Sequence, residues 1–96
     1  MPAYVISDLE IRDAAAFECY RTLAAASIAQ HGGRYLVRGG AAEAAEGGPP
    51  PKTLIIVEFP SMEAARAFYN SAEYQQAKAI RAPASQAQFV IVQGVE

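Results

Sequence analysis

The chain has no tryptophan, one cysteine and one histidine in 96 residues. A lone cysteine, Cys19, excludes an internal disulfide. A lone histidine, His31, with no companion thiols excludes a structural zinc cluster, so no metal is expected. Charge is also sparse. Lysine and arginine number 8 against 10 acidic residues, for a net charge of −2 with the signs interspersed. That leaves no basic stripe for a nucleic-acid backbone and no basic amphipathic stretch for a membrane surface. The longest aliphatic run, "LIIV" at 54–57, is far short of a membrane span. The opening "MPAYVISDLE" has no basic leader before its apolar residues. These absences predict a cytoplasmic protein with no bound cofactor.

What is present reads as one domain over residues 1–96. Hydrophobic residues make up 52% of the chain, enough for a globular core. Strand-forming residues mark 3–11, 34–38, 53–59 and 88–94. Asp13 suits an N-cap for a helix over 14–30, with Phe17, Tyr20, Ala24 and Ile28 as its apolar stripe. Gly32 or Gly33 can end that helix in the left-handed region. Ser61 caps a second helix carrying Met62, Ala65 and Phe68 or Tyr69. The step Asn70-Ser71 interrupts it, and Ser71 can cap a further piece, "AEYQQAKAIR", closed by Pro83. The segment 39–52 is a long flexible loop, in which "AAEAAE" can form one helical turn. The order β-α-β-β-α-β is the ferredoxin-like plan: a four-stranded antiparallel sheet with both helices on one face.

Alternation along the strands adds a partner. Ile55, Val57 and Phe59 point one way and Leu54 and Ile56 the other; Phe89 and Ile91 oppose Val90 and Val92 in the same manner. Both faces are apolar, but the helices cover only one. Leaving four large aliphatic side chains in water would forfeit on the order of 6–12 kcal/mol. The expected cover for the open face is a second copy of the chain.

The stretch "HGGRYLVRGG", 31–40, concentrates polar candidates. His31 can act as a general base or shuttle, or simply cap the carbonyl end of the first helix. Arg34 and Arg38, four apart on a strand, are expected to share a face with Leu36, their Cα atoms roughly 13 Å apart. They can receive an anion, or pair with Glu58 on the neighbouring strand. Tyr69, Tyr74 and Arg81 lie on the broken second helical region, where a bend can open a cleft; equally, the tyrosines can be core residues and Arg81 a cation at a helix end. Cys19 reads as an inert thiol, and Gly39-Gly40 lacks the helix motif of a phosphate loop.

The blocks "GGRYLVRGG", "EFPSMEAARAFYNSAEYQ" and "FVIVQG" resemble the family called domain of unknown function 1330, over about 4–94. The resemblance implies a dimeric α+β barrel of ferredoxin-like protomers. It brings no established reaction. Where the family often has tryptophan this chain has Phe68, and near Gln88 it lacks a common acidic residue. Relatives in the superfamily include cofactor-free monooxygenases, haem-degrading enzymes, isomerases and decarboxylases, so fold alone does not set function.

The function expected is binding, with or without cofactor-independent turnover, of a small anionic or aromatic metabolite between helices and sheet. His31 and Tyr69 are the catalytic candidates; Arg34, Arg38, Glu58, Tyr69, Tyr74 and Arg81 are the ligand-binding ones. A non-catalytic, homodimeric interaction or stress-associated protein is the alternative, and a haem- or flavin-dependent monooxygenase a third.

Overall fold

A computed structural model describes residues 1–95. Its elements are β1 (Ala3–Ile11), α1 (Ala14–Gln30), β2 (Arg34–Arg38), β3 (Leu54–Phe59), α2 (Met62–Asn70), α3 (Ala72–Ala84) and β4 (Ser85–Gln93). The strands form one sheet in the order β2-β3-β1-β4. Every neighbouring pair is antiparallel. This is the ferredoxin-like plan expected from the strand and helix pattern, with the second helix split in two.

Local chemistry sets the helix ends. Asp13 Oδ1 accepts from the Ala16 N–H, Ser61 from Ala64 and Ser71 from Tyr74, at 3.1, 3.0 and 3.1 Å. Each satisfies a donor that the first helical turn leaves free. Gly32 ends α1 with φ of +76°, a conformation that costs a residue with a Cβ about 1 kcal/mol or more. Gly33 answers to a different constraint: a Cβ there would lie 2.6 Å from the Phe59 ring and 2.8 Å from Ile28.

The core lies between the sheet and the helices. Ala3, Val5, Ser7 and Leu9 of β1 are all buried, and Val5 pairs with Val57 and Ile91 across the sheet. Phe59 and Phe68 stack with centroids 5.1 Å apart, and Phe68 meets Tyr74 at 4.6 Å. On the opposite face Val90 is 44% exposed, Val92 41% and Leu36 47%. Tyr4, Ile6, Leu54 and Ile56 of that face are half-buried.

Three expectations need correction. Arg34 and Arg38 do not share a face. β2 carries an irregularity between Tyr35 and Val37: Tyr35 pairs with Val57, but Val37 pairs with Ile56 and Arg38 with Ile55. Leu36 is the extra residue of a bulge, and each bulge residue inverts the alternation beyond it. Arg34, opposite Glu58, therefore stays on the open face, while Arg38, opposite Ile55, turns to the helix face.

Second, Pro83 does not close the helix before it. It sits inside the last turn of α3, which runs to Ala84, and β4 starts at Ser85 rather than at 88. The Ala84 carbonyl accepts from both Arg12 and Asp13 N–H, and the Ser85 hydroxyl donates to the Arg81 carbonyl at 3.1 Å. These contacts hold the turn, and the nine-residue β1 draws residues 85–87 into register. Third, "AAEAAE" forms no helical turn. Residues 39–50 are exposed, without helix or strand, until Asp8 Oδ1 accepts from the N–H groups of Lys52 and Thr53 at 3.0 and 3.2 Å.

Candidate functional site

The chain's chemistry gathers beneath α1. A cavity of ≈ 30 Å³ lies between α1 and the sheet. Val5, Val57 and Ile55 form its floor, Ala24 and Ile28 its roof, and Phe68 and Phe89 its end. Its polar edges are Ser7, Tyr20, Tyr35, Arg21 and Arg38. An outer cleft of ≈ 260 Å³, lined by Ile11, Phe17, Glu18 and Thr53 among others, adjoins it. Arg21, Arg38 and Ile55 belong to both, so two arginines mark where the cleft meets the cavity. Among the described residues, no carboxylate or imidazole lines the inner cavity.

Each mouth arginine is held by a weak partner. Arg21 Nη1 donates to Glu18 Oε1 at 3.0 Å along the solvent side of α1. Arg38 lies 4.7 Å from the centroid of the Tyr35 ring. Burial pushes the Tyr35 hydroxyl above its ordinary pKa, and the Arg38 charge partly offsets this. An exposed ion pair and a surface cation–π contact are each worth about 1 kcal/mol or less, so both arginines can be recruited by a stronger anion.

Behind the cavity wall lies a second polar group. The hydroxyls of Tyr20 and Tyr74 are 3.0 Å apart. Burial raises the pKa of both. Arg81, 6% exposed, rests against the Phe89 ring at 4.4 Å and the Tyr20 ring at 5.6 Å. Its Nε has no hydrogen-bond partner. The guanidinium is balanced by the aromatic faces and by the carbonyl end of α3 rather than by a carboxylate.

The sequence-derived candidates fall into separate places. Arg38 reaches the cavity mouth. Tyr74 and Arg81 come together behind it; Tyr74 is fully buried. Tyr69 packs beside Tyr74, centroids 5.2 Å apart, with the Lys78 ammonium 5.2 Å from its ring; it lines neither cavity nor cleft. The break at Asn70-Ser71 is present, and the rings on either side of it, Phe68, Tyr69 and Tyr74, pack on one another. His31 is half-buried at the end of α1, where its Nδ1–H donates to the Ser27 carbonyl at 2.8 Å, as a helix-end residue does. Arg34 Nε donates to Glu58 Oε1 at 2.8 Å on the open face, away from the cavity. Sequence reasoning does not single out Tyr20, Arg21, Tyr35 or Ser7 as site residues. The available signal is Ser7, a polar residue at a core-facing position of β1. No group of three or more His, Cys, Asp or Glu among the described residues can hold a metal ion. No described helix is long and apolar enough to cross a membrane.

Solved structures share this architecture, a ferredoxin-like sheet with its helices on one face. A protein of unknown function from Rhodopseudomonas palustris superposes with a TM-score of 0.78 at 18% identity, covering 99% of this chain and 83% of the other. A Caulobacter crescentus protein, named provisionally as an antibiotic biosynthesis monooxygenase, gives 0.67 at 18% identity, with 99% and 91% covered. SnoaB, a cofactor-independent oxygenase from Streptomyces nogalater, gives 0.66 at 10% identity, with 99% and 94% covered. At such identities the likeness concerns the fold. No curated protein matches. The sequence is more specific: the family described as Domain of unknown function (DUF1330) matches residues 2–95, and the chain belongs to it.

Proposed function

We propose that the protein binds a small organic acid with an apolar body in the outer cleft of ≈ 260 Å³ beside α1, where it meets the inner cavity. The observation that carries this is the pair Arg21 and Arg38 lining a cleft that also presents Ile11, Phe17 and Ile55. Two planar cations beside apolar side chains suit a carboxylate whose hydrocarbon part lies along Ile11, Phe17 and Ile55. The inner wall supplies no side chain suited to act as a general base at neutral pH, which supports binding rather than turnover. Isothermal calorimetry with benzoate is the test. We expect saturable binding that Arg38→Ala weakens at least tenfold and Arg34→Ala leaves alone. Equal effects of the two substitutions would overturn the assignment.

We also propose that two copies pair through the open face of the sheet. Val90, Val92 and Leu36 support this, since a soluble monomer seldom leaves so contiguous an apolar face in water. This reading also accommodates a non-catalytic, homodimeric protein. Light scattering is decisive: a monomer at micromolar concentration would exclude it. The free, exposed thiol of Cys19 is compatible with a reducing compartment, and we place the protein in the cytoplasm on that basis.

A further inference from the structure

We propose that the acid bound in the cleft beside α1 carries a hydroxyl group on the carbon next to its carboxylate, and that the Ser7 hydroxyl receives it in the inner cavity. This rests on the acid-binding proposal above and adds the class of acid, a 2-hydroxy acid with an apolar body.

Ser27, Ser61, Ser71 and Ser85 all spend their hydroxyls on the protein. Ser27 and Ser71 meet at 3.3 Å, Ser61 accepts from the Ala64 N–H at 3.0 Å, and Ser85 donates to the Arg81 carbonyl at 3.1 Å. Ser7 is different. It is 4% exposed, its neighbours on the helix face of β1 are Val5 and Leu9, and its hydroxyl has no partner among the described residues. A buried hydroxyl left unpaired is costly. The fully sealed side-chain atom that lacks a partner is Arg81 Nε, so the Ser7 oxygen is not sealed. It borders open space, and the space that Ser7 lines is the inner cavity. At ≈ 30 Å³ that cavity takes a group of about the size of one water molecule.

The sheet register puts Ser7 in line with the cation that anchors the acid. Arg38 lies opposite Ile55, Ile55 opposite Ser7, and Ser7 opposite Phe89. Residues facing one another across an antiparallel sheet share a side, so these four form one row on the helix face. Arg38 and Ser7 are two strands apart, with about 10 Å between their Cα atoms. Ile55, between them, lines both the cleft and the cavity. A carboxylate held by Arg21 and Arg38 where the two spaces meet can send only a short arm inward. A hydroxyl on the adjacent carbon is the shortest polar arm an organic acid offers, and it can exchange a hydrogen bond with Ser7. A methyl in its place matches the size but leaves the Ser7 hydroxyl unpaired. The apolar body is too large for the inner cavity and stays outside, along Ile11 and Phe17.

The test is calorimetry with phenylacetate and with both enantiomers of 2-phenylpropionate and of mandelate, which place hydrogen, methyl or hydroxyl on the same carbon. In the native chain one enantiomer of mandelate should bind roughly three- to tenfold more tightly than phenylacetate, the gain of one neutral hydrogen bond. Neither enantiomer of 2-phenylpropionate should show that gain. Ser7→Ala should bring the favoured mandelate to the affinity of phenylacetate. Arg38→Ala should weaken all of these acids together. The comparison within the native chain stands even if a variant folds poorly. If phenylacetate binds but the hydroxyl adds nothing, if the methyl adds as much, or if the gain survives in Ser7→Ala, this inference is wrong and the acid site stands. If none of the acids binds, both fall.

Discussion

The two faces of this sheet are built from the same kinds of residue and finished in opposite ways. On the helix face, apolar side chains of β1, β3 and β4 meet α1, α2 and α3, and the polar groups admitted there are few and buried: Ser7, Ser27, Arg81 and the paired tyrosines. On the open face, comparable aliphatic residues stay half-exposed behind a rim of ion pairs, Arg34–Glu58 at one end and Lys52–Glu10 at the other. Apolar alternation shows that a face wants cover. It does not show whether the chain's own helices or another molecule will provide it. Polar content does: a few buried polar groups mark the closed face, and solvated ion pairs mark the one left for a partner.

Deep truncation gives the widest separation between the faces. Phe59→Ala removes a fully buried ring stacked on Phe68, and should cost about 3–5 kcal/mol in urea unfolding at any protein concentration. Val92→Ala should instead lower the thermal midpoint in a way that depends on concentration, because its cost falls on association. A concentration-independent loss for both would erase the distinction.

The mouth arginine comes next. Arg38→Ala removes a charge-assisted contact worth about 1.5–3 kcal/mol, a loss of roughly tenfold or more in benzoate affinity, with unfolding hardly altered. The buried tyrosines rank third, through pH. Their folded pKa values lie above the ordinary 10.0, so above pH 10 the unfolded chain releases protons that the folded chain retains. Stability is then intact below pH 10 and falls as pH rises beyond it. The slope is bounded by about 1.4 kcal/mol per pH unit for each group. Tyr20→Phe/Tyr74→Phe should flatten that decline.

The bulge offers a smaller but sharper comparison. Deleting Leu36 would leave Arg34, Tyr35, Val37 and Arg38 opposite the partners they already have, Glu58 to Ile55. Arg38 would stay at the cavity mouth, and benzoate affinity should change by less than about threefold, or under ~1 kcal/mol. The same residue marks where sequence reading stops. Helix α1 is legible to the residue because Asp13 and Gly32 bracket it with specific chemistry. The break at Asn70-Ser71 is legible because Ser71 caps α3. "RYLVR" contains nothing to announce an extra residue, neither glycine nor proline, so Arg34 and Arg38 read as neighbours on one face. The Tyr20–Tyr74 contact joins residues 54 positions apart and depends on how α1 packs against α3. No local pattern encodes that. A cavity between helices and sheet is legible in the pattern of elements, but most of its polar edge is not.

The least of these effects concerns Arg34 and Glu58. The arginine side chain is 72% exposed and the carboxylate 24%. Such a pair is solvated on the arginine side, loses side-chain entropy to hold its geometry, and is screened by salt. A double-mutant cycle with Arg34→Ala and Glu58→Gln should give a coupling of about 0.2–1 kcal/mol in the monomer, shrinking as salt rises. In a dimer the same two groups would lose water to the partner subunit. Their coupling should then grow with protein concentration and become less sensitive to salt, since buried pairs are screened less. A coupling that stays small and salt-sensitive at every concentration would place the pair outside the subunit contact and confine that contact to the Val90–Val92 side of the sheet.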